Sequence, residues 1–290
     1  MTNQNMKLCR FAISDNSTRI GISIDSETVI DLTDAQITSL GQILEQTDPM
    51  SFLKQLDLSA LPKIDLASVK LLPPVDRQEV WAAGVTYFRS KTARMEESDF
   101  SATAYDKVYD APRPEIFFKS VPEKVVGPNT DVGIRKDATW NVPEPELALM
   151  INRSGSIVGY TIGNDMSSRD IEGENLLYLP QAKVYDKSCA LGPWIVLGVT
   201  EAQVREWEIS IRIDRNEKTE FSGSTSIDQI KRQFSDLAEY LYRSQSFPDG
   251  AILLTGTGVV PDDSFTLEEG DQIHISISGI GSLSNRVCRV

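Results

Sequence analysis

The scarcest residues in this chain narrow its chemistry most. Across 290 residues there is one histidine, His274, and there are three cysteines, Cys9, Cys189 and Cys288. Imidazole relays and sites built from histidine and thiolate ligands are therefore nearly excluded, and three scattered thiols fit neither a zinc motif nor a disulfide framework. They read as structural thiols in a reducing cytoplasm, which sets the expected localisation. No run approaches the roughly 20 apolar residues that a membrane span requires, and the opening MTNQNMKLCRFAIS holds no apolar signal segment. Basic residues are also short: 29 Lys and Arg stand against 42 Asp and Glu, a net charge of -13. That balance argues against nucleic acid and anionic membranes as partners. Neither an internal repeat nor a low-complexity segment is present.

What remains for polar catalysis is carboxylates, lysine and a hard cation. Three carboxylates and one lysine lie mid-chain: Glu144 and Glu146 in PEPEL, Asp165 in GNDMSSRD, and Lys183 in QAKVYD. The glutamates are spaced i, i+2 on backbone held extended by two prolines, so both point to one side of a strand. ELALMI then breaks at Asn152-Arg153-Ser154-Gly155 and resumes as SIVGYTIGND, the pattern of a hairpin. A turn centred between Arg153 and Ser154 pairs Glu146 with Thr161 and Glu144 with Gly163, leaving Asp165 the diagonal neighbour of Glu144 on the same face. A three-residue loop would send Asp165 to the opposite face. Three oxygen ligands without imidazole or thiolate suit Mg2+, Mn2+ or Ca2+. A solvated strand face is the bland alternative for the glutamates, but Asp165 sits in an apolar run where an unpaired carboxylate is expensive to bury.

Along the chain, residues 1–74 read as a small domain: short strands around Phe11, 20–24 and 29–32, then a helical stretch over about 40–56. LLPPV (71–75) is a linker candidate, because paired prolines continue neither a helix nor a central strand. Residues 75–290 form the larger part. There the segment 88–110 is charged and small, as in a helix and cover over a site, WEISIRIDRN and EFSGSTS alternate as paired strands, and IDQIKRQFSDLAEYLYRS is helical. The whole predicts an α+β protein with a mostly β large domain.

From about Val80 onward the sequence resembles the fumarylacetoacetate hydrolase family. WAAGVTY (81–87), PEIFFK (114–119), PEPEL, NDMSSRD, KVYDKSCALGPW (183–194) and LLTGTG (253–258) occur in the family's order. The resemblance implies the family's mixed β-roll, with Glu144, Glu146 and Asp165 as metal ligands and Mg2+ as the cofactor. Carbon–carbon hydrolases of this family carry a histidine soon after the first block, paired with a glutamate, to activate water. Here Ser90 stands near that position, and His274, in the alternating strand GDQIHISISG, is a poor substitute. Histidine-activated hydrolysis is therefore disfavoured.

RPEIFFK, NVPEPEL, SSRDIEGEN, LYLPQAKVYD and LLTGTGVVP are similar to the family's sugar-acid dehydratase branch. That likeness implies dehydration of a 2-keto-3-deoxy sugar acid through an enolate, a pentonate giving 2-oxoglutarate semialdehyde. Lys183 is the implied base at carbon 3, with a salt bridge to Asp186 as the structural alternative. Glu115 is the implied acid at carbon 4 and Glu172 a rival. Lys119, Thr257, Gly256 and Arg89 are the implied contacts to substrate oxygens, and Arg169 with Asp170 reads as a structural ion pair. A homodimer or homotetramer is expected. The alternatives are an acylpyruvate hydrolase or oxaloacetate decarboxylase of the same family, and a non-enzymatic Ca2+-stabilised ligand-binding protein.

Overall fold

The computed structural model describes residues 5–14, 17–25, 27–87 and 107–290. Arg89, Ser90 and most of the expected cover segment lie outside them. Among the described residues the chain is mostly strand, as an α+β reading requires. The first part carries β1 (Met6–Ala12), β2 (Thr18–Ser23), β3 (Thr28–Asp31), β4 (Lys63–Asp65) and β5 (Lys70–Leu72). The site region follows with β6 (Glu79–Gly84), β7 (Glu115–Ser120), β8 (Val125–Val126), β9 (Val132–Ile134), β10 (Asn141–Val142), β11 (Pro145–Ile151), β12 (Ile157–Asp165), β13 (Ser167–Ser168) and β14 (Cys189–Leu197). Then come β15 (Glu208–Arg215), β16 (Lys218–Ser226), β17 (Ala251–Leu254), β18 (Gln272–Ile277) and β19 (Gly281–Arg289).

A 12-stranded mixed sheet runs β4-β3-β2-β1-β14-β12-β11-β17-β6-β7, with β5 added on β1 and β8 on β14. A 5-stranded sheet, β16-β15-β18-β19-β9, faces it. The large sheet crosses the expected boundary at residue 74 without a break, because β1 is hydrogen-bonded antiparallel to β14. Leu71 and Leu72, expected in the linker, belong to β5, paired to Phe11 and Arg10. The expected helix over 40–56 is two short helices, Gly41–Leu44 and Pro49–Lys54. The second starts afresh because Pro49 breaks the first while the Asp48 side chain caps the new one by accepting from Ser51 N at 3.1 Å. The helix expected near 227–244 occupies Phe234–Tyr242, its first residues being a single turn at Ile227–Gln229.

Strand β11 is buried on both faces, and its period of two sorts its residues between two cores. Leu147, Leu149 and Ile151 pack with Ile209, Ile211, Ile273 and Phe234 between the two sheets. Ala148 and Met150 pack on the other side with Leu8, Ile20, Ile22, Leu197 and Ile252, a core shared with the N-terminal strands. Glu144 and Glu146 continue that second face past its apolar end. The carboxylates therefore stand where a packed core gives way to the site.

Candidate metal centre and active site

The hairpin that brings the carboxylates together is not built on a two-residue turn. Its loop spans residues 152–156, closed by Asn152 N to Ser156 O at 3.0 Å and organised by Asn152 Oδ1, which accepts from the Ser154 and Ser156 amides. Ile151 opposite Ile157 would by itself place Asn164 across from Glu144 and turn Asp165 to the wrong face. A bulge at Val158 restores the parity: from Met150 opposite Gly159 the register runs to Glu146 opposite Gly163. Asp165 thus sits directly across from Glu144, their main chains joined by Asp165 N to Glu144 O at 2.9 Å. The expected pairings with Thr161 and Gly163 are each off by two residues, and an even slip keeps every side chain on its face.

Glu144, Glu146 and Asp165 are each buried and offer ligand oxygens all within 4.8 Å of one another. Three cations surround them. Lys183, the last residue of the short helix Leu179–Lys183, is 1% exposed, and its Nζ donates to Glu144 Oε2 at 2.8 Å, Asp165 Oδ2 at 3.2 Å and Ser167 Oγ at 2.6 Å. Asp186, the alternative partner for Lys183, pairs instead with Lys124 at 3.0 Å. Arg169 Nη2 reaches Glu144 Oε1 at 2.9 Å. Arg169 and Asp170 are therefore not the expected pair: Asp170 accepts from Thr139 N and Oγ1. Adjacent helical residues point in different directions, and here one turns to the site and the other outward.

Lys119 lies in the bulge between β6 and β7, where Val80 pairs Ser120 and Trp81 pairs Phe118. Its Nζ donates to Met166 O and Lys183 O and ion-pairs with Asp165 Oδ1. Those partners occupy all three ammonium protons, so in this arrangement Lys119 holds Asp165 and the backbone beneath Lys183. We expect Lys119→Met to weaken Mg2+ binding by about 10- to 100-fold, the usual effect of losing a group that orients a ligand. Calorimetric titration checks it, and a raised KM at unchanged metal affinity would return Lys119 to a substrate-binding role.

Gly256, at φ +87, turns its N–H to Glu146 Oε2 at 2.6 Å. A side chain there would meet Thr86 Oγ1 at 2.2 Å, so only glycine fits. Thr257 is buried, its hydroxyl bonding within its own turn to Val259 O at 3.1 Å. Glu115 opens β7 and is half-buried, and Glu172 is buried on the helix Arg169–Glu174. His274 is half-exposed on β18, bonded to Ser284 Oγ at 2.8 Å, on the opposite sheet. Sequence reasoning missed Ser167 and undervalued Arg169. The signal available for both was their position in the NDMSSRD block.

The donor set fits a hard dication. Glu146 has no ion pair among the described residues, and burial, then the charges of Asp165 and Glu144, push its carboxyl well above the usual carboxylate range. The charge of Lys183 and the Gly256 N–H offset only part of that cost, so a dication would be a fitting partner for this carboxylate. Three carboxylates against Lys119, Lys183 and Arg169 sum to zero, so a dication leaves the centre positive, as an anionic substrate in an acidic protein demands.

A model of the fumarylacetoacetate hydrolase C-terminal region matches residues 80–288. The chain belongs to the fumarylacetoacetate hydrolase family. It is 49% identical over 217 residues to the Haloferax volcanii protein named probable 2-keto-3-deoxyxylonate dehydratase, covering 75% of this chain and 74% of that one. With the 2-dehydro-3-deoxy-D-arabinonate dehydratase of Saccharolobus solfataricus it shares 37% identity over 276 residues, 94% of this chain and 90% of that one. Among solved structures, 2-keto-3-deoxy-D-arabinonate dehydratase complexed with magnesium and 2,5-dioxopentanoate superposes with a TM-score of 0.81 at 32% identity, covering 98% and 99% of the two chains. The α+β fold expected from the family's blocks is thus the fold observed. Among the described residues no helix is long and apolar enough to cross a membrane.

Proposed function

We propose that this protein is a Mg2+-dependent hydro-lyase that converts a 2-keto-3-deoxy pentonate, 2-keto-3-deoxy-D-arabinonate, to 2-oxoglutarate semialdehyde with Lys183 as base. The observation that carries the reading is a buried lysine whose Nζ touches two of three clustered carboxylates. Both sequence relatives are named as keto-deoxy pentonate dehydratases. The 2,5-dioxopentanoate of the similar solved complex is the same compound as the semialdehyde product. A 2-keto-3-deoxy pentonate keeps only its carbon 4 stereocentre, so xylonate and arabinonate of one series converge on one substrate.

Glu144, Glu146 and Asp165 would hold the Mg2+, and the bound ion would supply a Lewis acid for the 2-keto group, making the carbon 3 protons more acidic. With the carboxylates committed to a dication, the Lys183 ammonium would give up one proton to solvent more readily, and the neutral amine so formed would take the carbon 3 proton. The C–H electron pair becomes the bond between carbons 3 and 4. The carbon 4 hydroxyl leaves as water with a proton from a carboxylic acid, Glu115 or Glu172, and tautomerisation gives the semialdehyde. Arg169 pins Glu144 from the side away from Lys183. Thr257, and Arg89 from outside the described residues, remain the proposed contacts to substrate oxygens.

The division into residues 1–74 and 75–290 is proposed with this reading, the first part bracing the second through β1 and β14. A homodimer or homotetramer is proposed too. The apolar run 176–180, with Leu177 at 83% exposure, supports it as a contact surface, and light scattering measures it.

Purified protein with Mg2+ should release a trappable aldehyde from the keto-deoxy pentonate and cleave acylpyruvates at least about 100-fold more slowly, the lower end of what a missing acid–base group removes. His274→Asn should stay within about twofold of wild type, since a half-exposed residue on another sheet contributes little. Fast acylpyruvate cleavage or oxaloacetate decarboxylation without dehydration would favour the alternative activities of the family.

A further inference from the structure

We propose that Ser188 is a positioning residue for the base: its hydroxyl holds the Lys183 main chain to the strand beside Asp165, and so fixes the point from which the lysine side chain reaches the carboxylates. The proposal rests on the dehydratase reading. Ser188 is 1% exposed and stands one residue before β14. Its Oγ donates to Lys183 O at 2.9 Å and accepts from Tyr185 N at 3.3 Å. Its carbonyl accepts from Met166 N at 3.0 Å, next to the rung where Cys189 pairs with Asp165. One small side chain therefore ties the end of the base's helix to the rung of a metal ligand.

Lys183 needs such a tie. The helix Leu179–Lys183 has five residues, too few to support itself, and its last carbonyls must find partners outside it. Gln181 O takes Arg135 Nη1 at 3.1 Å, and Lys183 O takes both Lys119 Nζ and Ser188 Oγ. Of those two donors, Lys119 sits at the end of a long side chain, whereas Ser188 is fixed to the sheet by its own main chain. The Lys183 nitrogen meets Glu144, Asp165 and Ser167 together, so a shift of its backbone disturbs all three contacts. The turn itself does not depend on the hydroxyl. Ser188 N donates to Tyr185 O at 3.2 Å, and Gly133 N of β9 donates to Lys187 O at 2.9 Å. A side chain at Gly133 would meet Asp186 O at 2.6 Å, so β9 lies directly on this turn. Alanine at 188 leaves those main-chain bonds in place and removes the tie to Lys183.

Ser188→Ala should lower kcat for dehydration by about 10- to 100-fold, since misplacing a reacting group by about 1 Å can cost 100-fold. Measured well below the melting transition, KM and Mg2+ affinity should stay within about twofold of wild type, because neither depends on where the base stands. Solvent deuterium exchange at carbon 3 of 2-oxobutyrate, which needs the base and no leaving group, should slow by the same factor as kcat. Ser188→Cys fills the same space with a thiol, a weak donor, and should slow both rates by about tenfold. It carries the test if alanine fails to fold. A side chain that served stability alone would, when replaced, lower the melting temperature and leave both rates at wild type, and that result overturns the proposal. So does a loss confined to Mg2+ affinity, or a slower kcat with exchange unchanged. If wild type exchanges the carbon 3 hydrogens but yields no aldehyde, the dehydratase reading fails and the exchange rates still decide on Ser188. Neither exchange nor aldehyde from wild type sinks both.

Discussion

Lys183→Met should fold, bind Mg2+ and lose dehydration by about 100- to 10,000-fold or more, the range of a general base. The substitution keeps much of the side-chain volume and removes only the nitrogen that touches Glu144, Asp165 and Ser167. Neither carboxylate is left alone, because Arg169 still pairs with Glu144 and Lys119 with Asp165. Deleting one member of a buried ion pair usually destabilises by about 3–5 kcal/mol, so the metal-free mutant should melt below wild type. Mg2+ should restore more of the melting temperature in the mutant, since the dication takes over the missing positive charge. The separating measurement is solvent deuterium exchange at carbon 3 of bound 2-oxobutyrate. Wild type should exchange and the mutant should not. Exchange and dehydration at wild-type rates in Lys183→Met would assign the base elsewhere.

Removal of the metal should abolish turnover, and added Mg2+ should restore it, with Mn2+ as a substitute. Glu146→Gln should weaken Mg2+ binding by more than about 100-fold, because losing even an outer partner of a ligand commonly costs 10- to 100-fold. The same change should leave the metal-free protein as stable as wild type or more so. Burial and the neighbouring carboxylates raise the proton affinity of Glu146 in the folded chain, so its ionisation opposes folding once the pH passes the ordinary carboxylate range. Metal-free wild type should therefore lose stability as pH rises through that region and beyond, and glutamine at 146 should remove that part of the loss. Thermal melts with and without chelator across pH 4 to 8 read both effects. Full activity in excess chelator would refute the metal assignment.

Some of this was settled by local chemistry. Two glutamates at i, i+2 on proline-stiffened extended backbone share a face wherever the strand is placed, and the near absence of histidine and cysteine leaves a hard cation as the fitting metal for them. The ordered blocks from WAAGVTY to LLTGTG carried the family and its α+β fold. Other features depended on segments distant in sequence. Asp165 reaches the glutamates only because a five-residue loop and the bulge at Val158 together keep the side-chain parity, and no propensity of VGYT announces that bulge. Lys119 belongs to Asp165 because a second bulge turns it inward, and Arg169 belongs to Glu144 because its helix starts beside Trp140. The joining of the N-terminal strands to the large sheet is a pairing of residues almost 190 positions apart, Leu8 with Ile195. Which side of a strand a residue faces follows from the alternation of the backbone and is written locally. Which partner it meets there depends on register and on the reach of long charged side chains, and those are decided when the sheet closes.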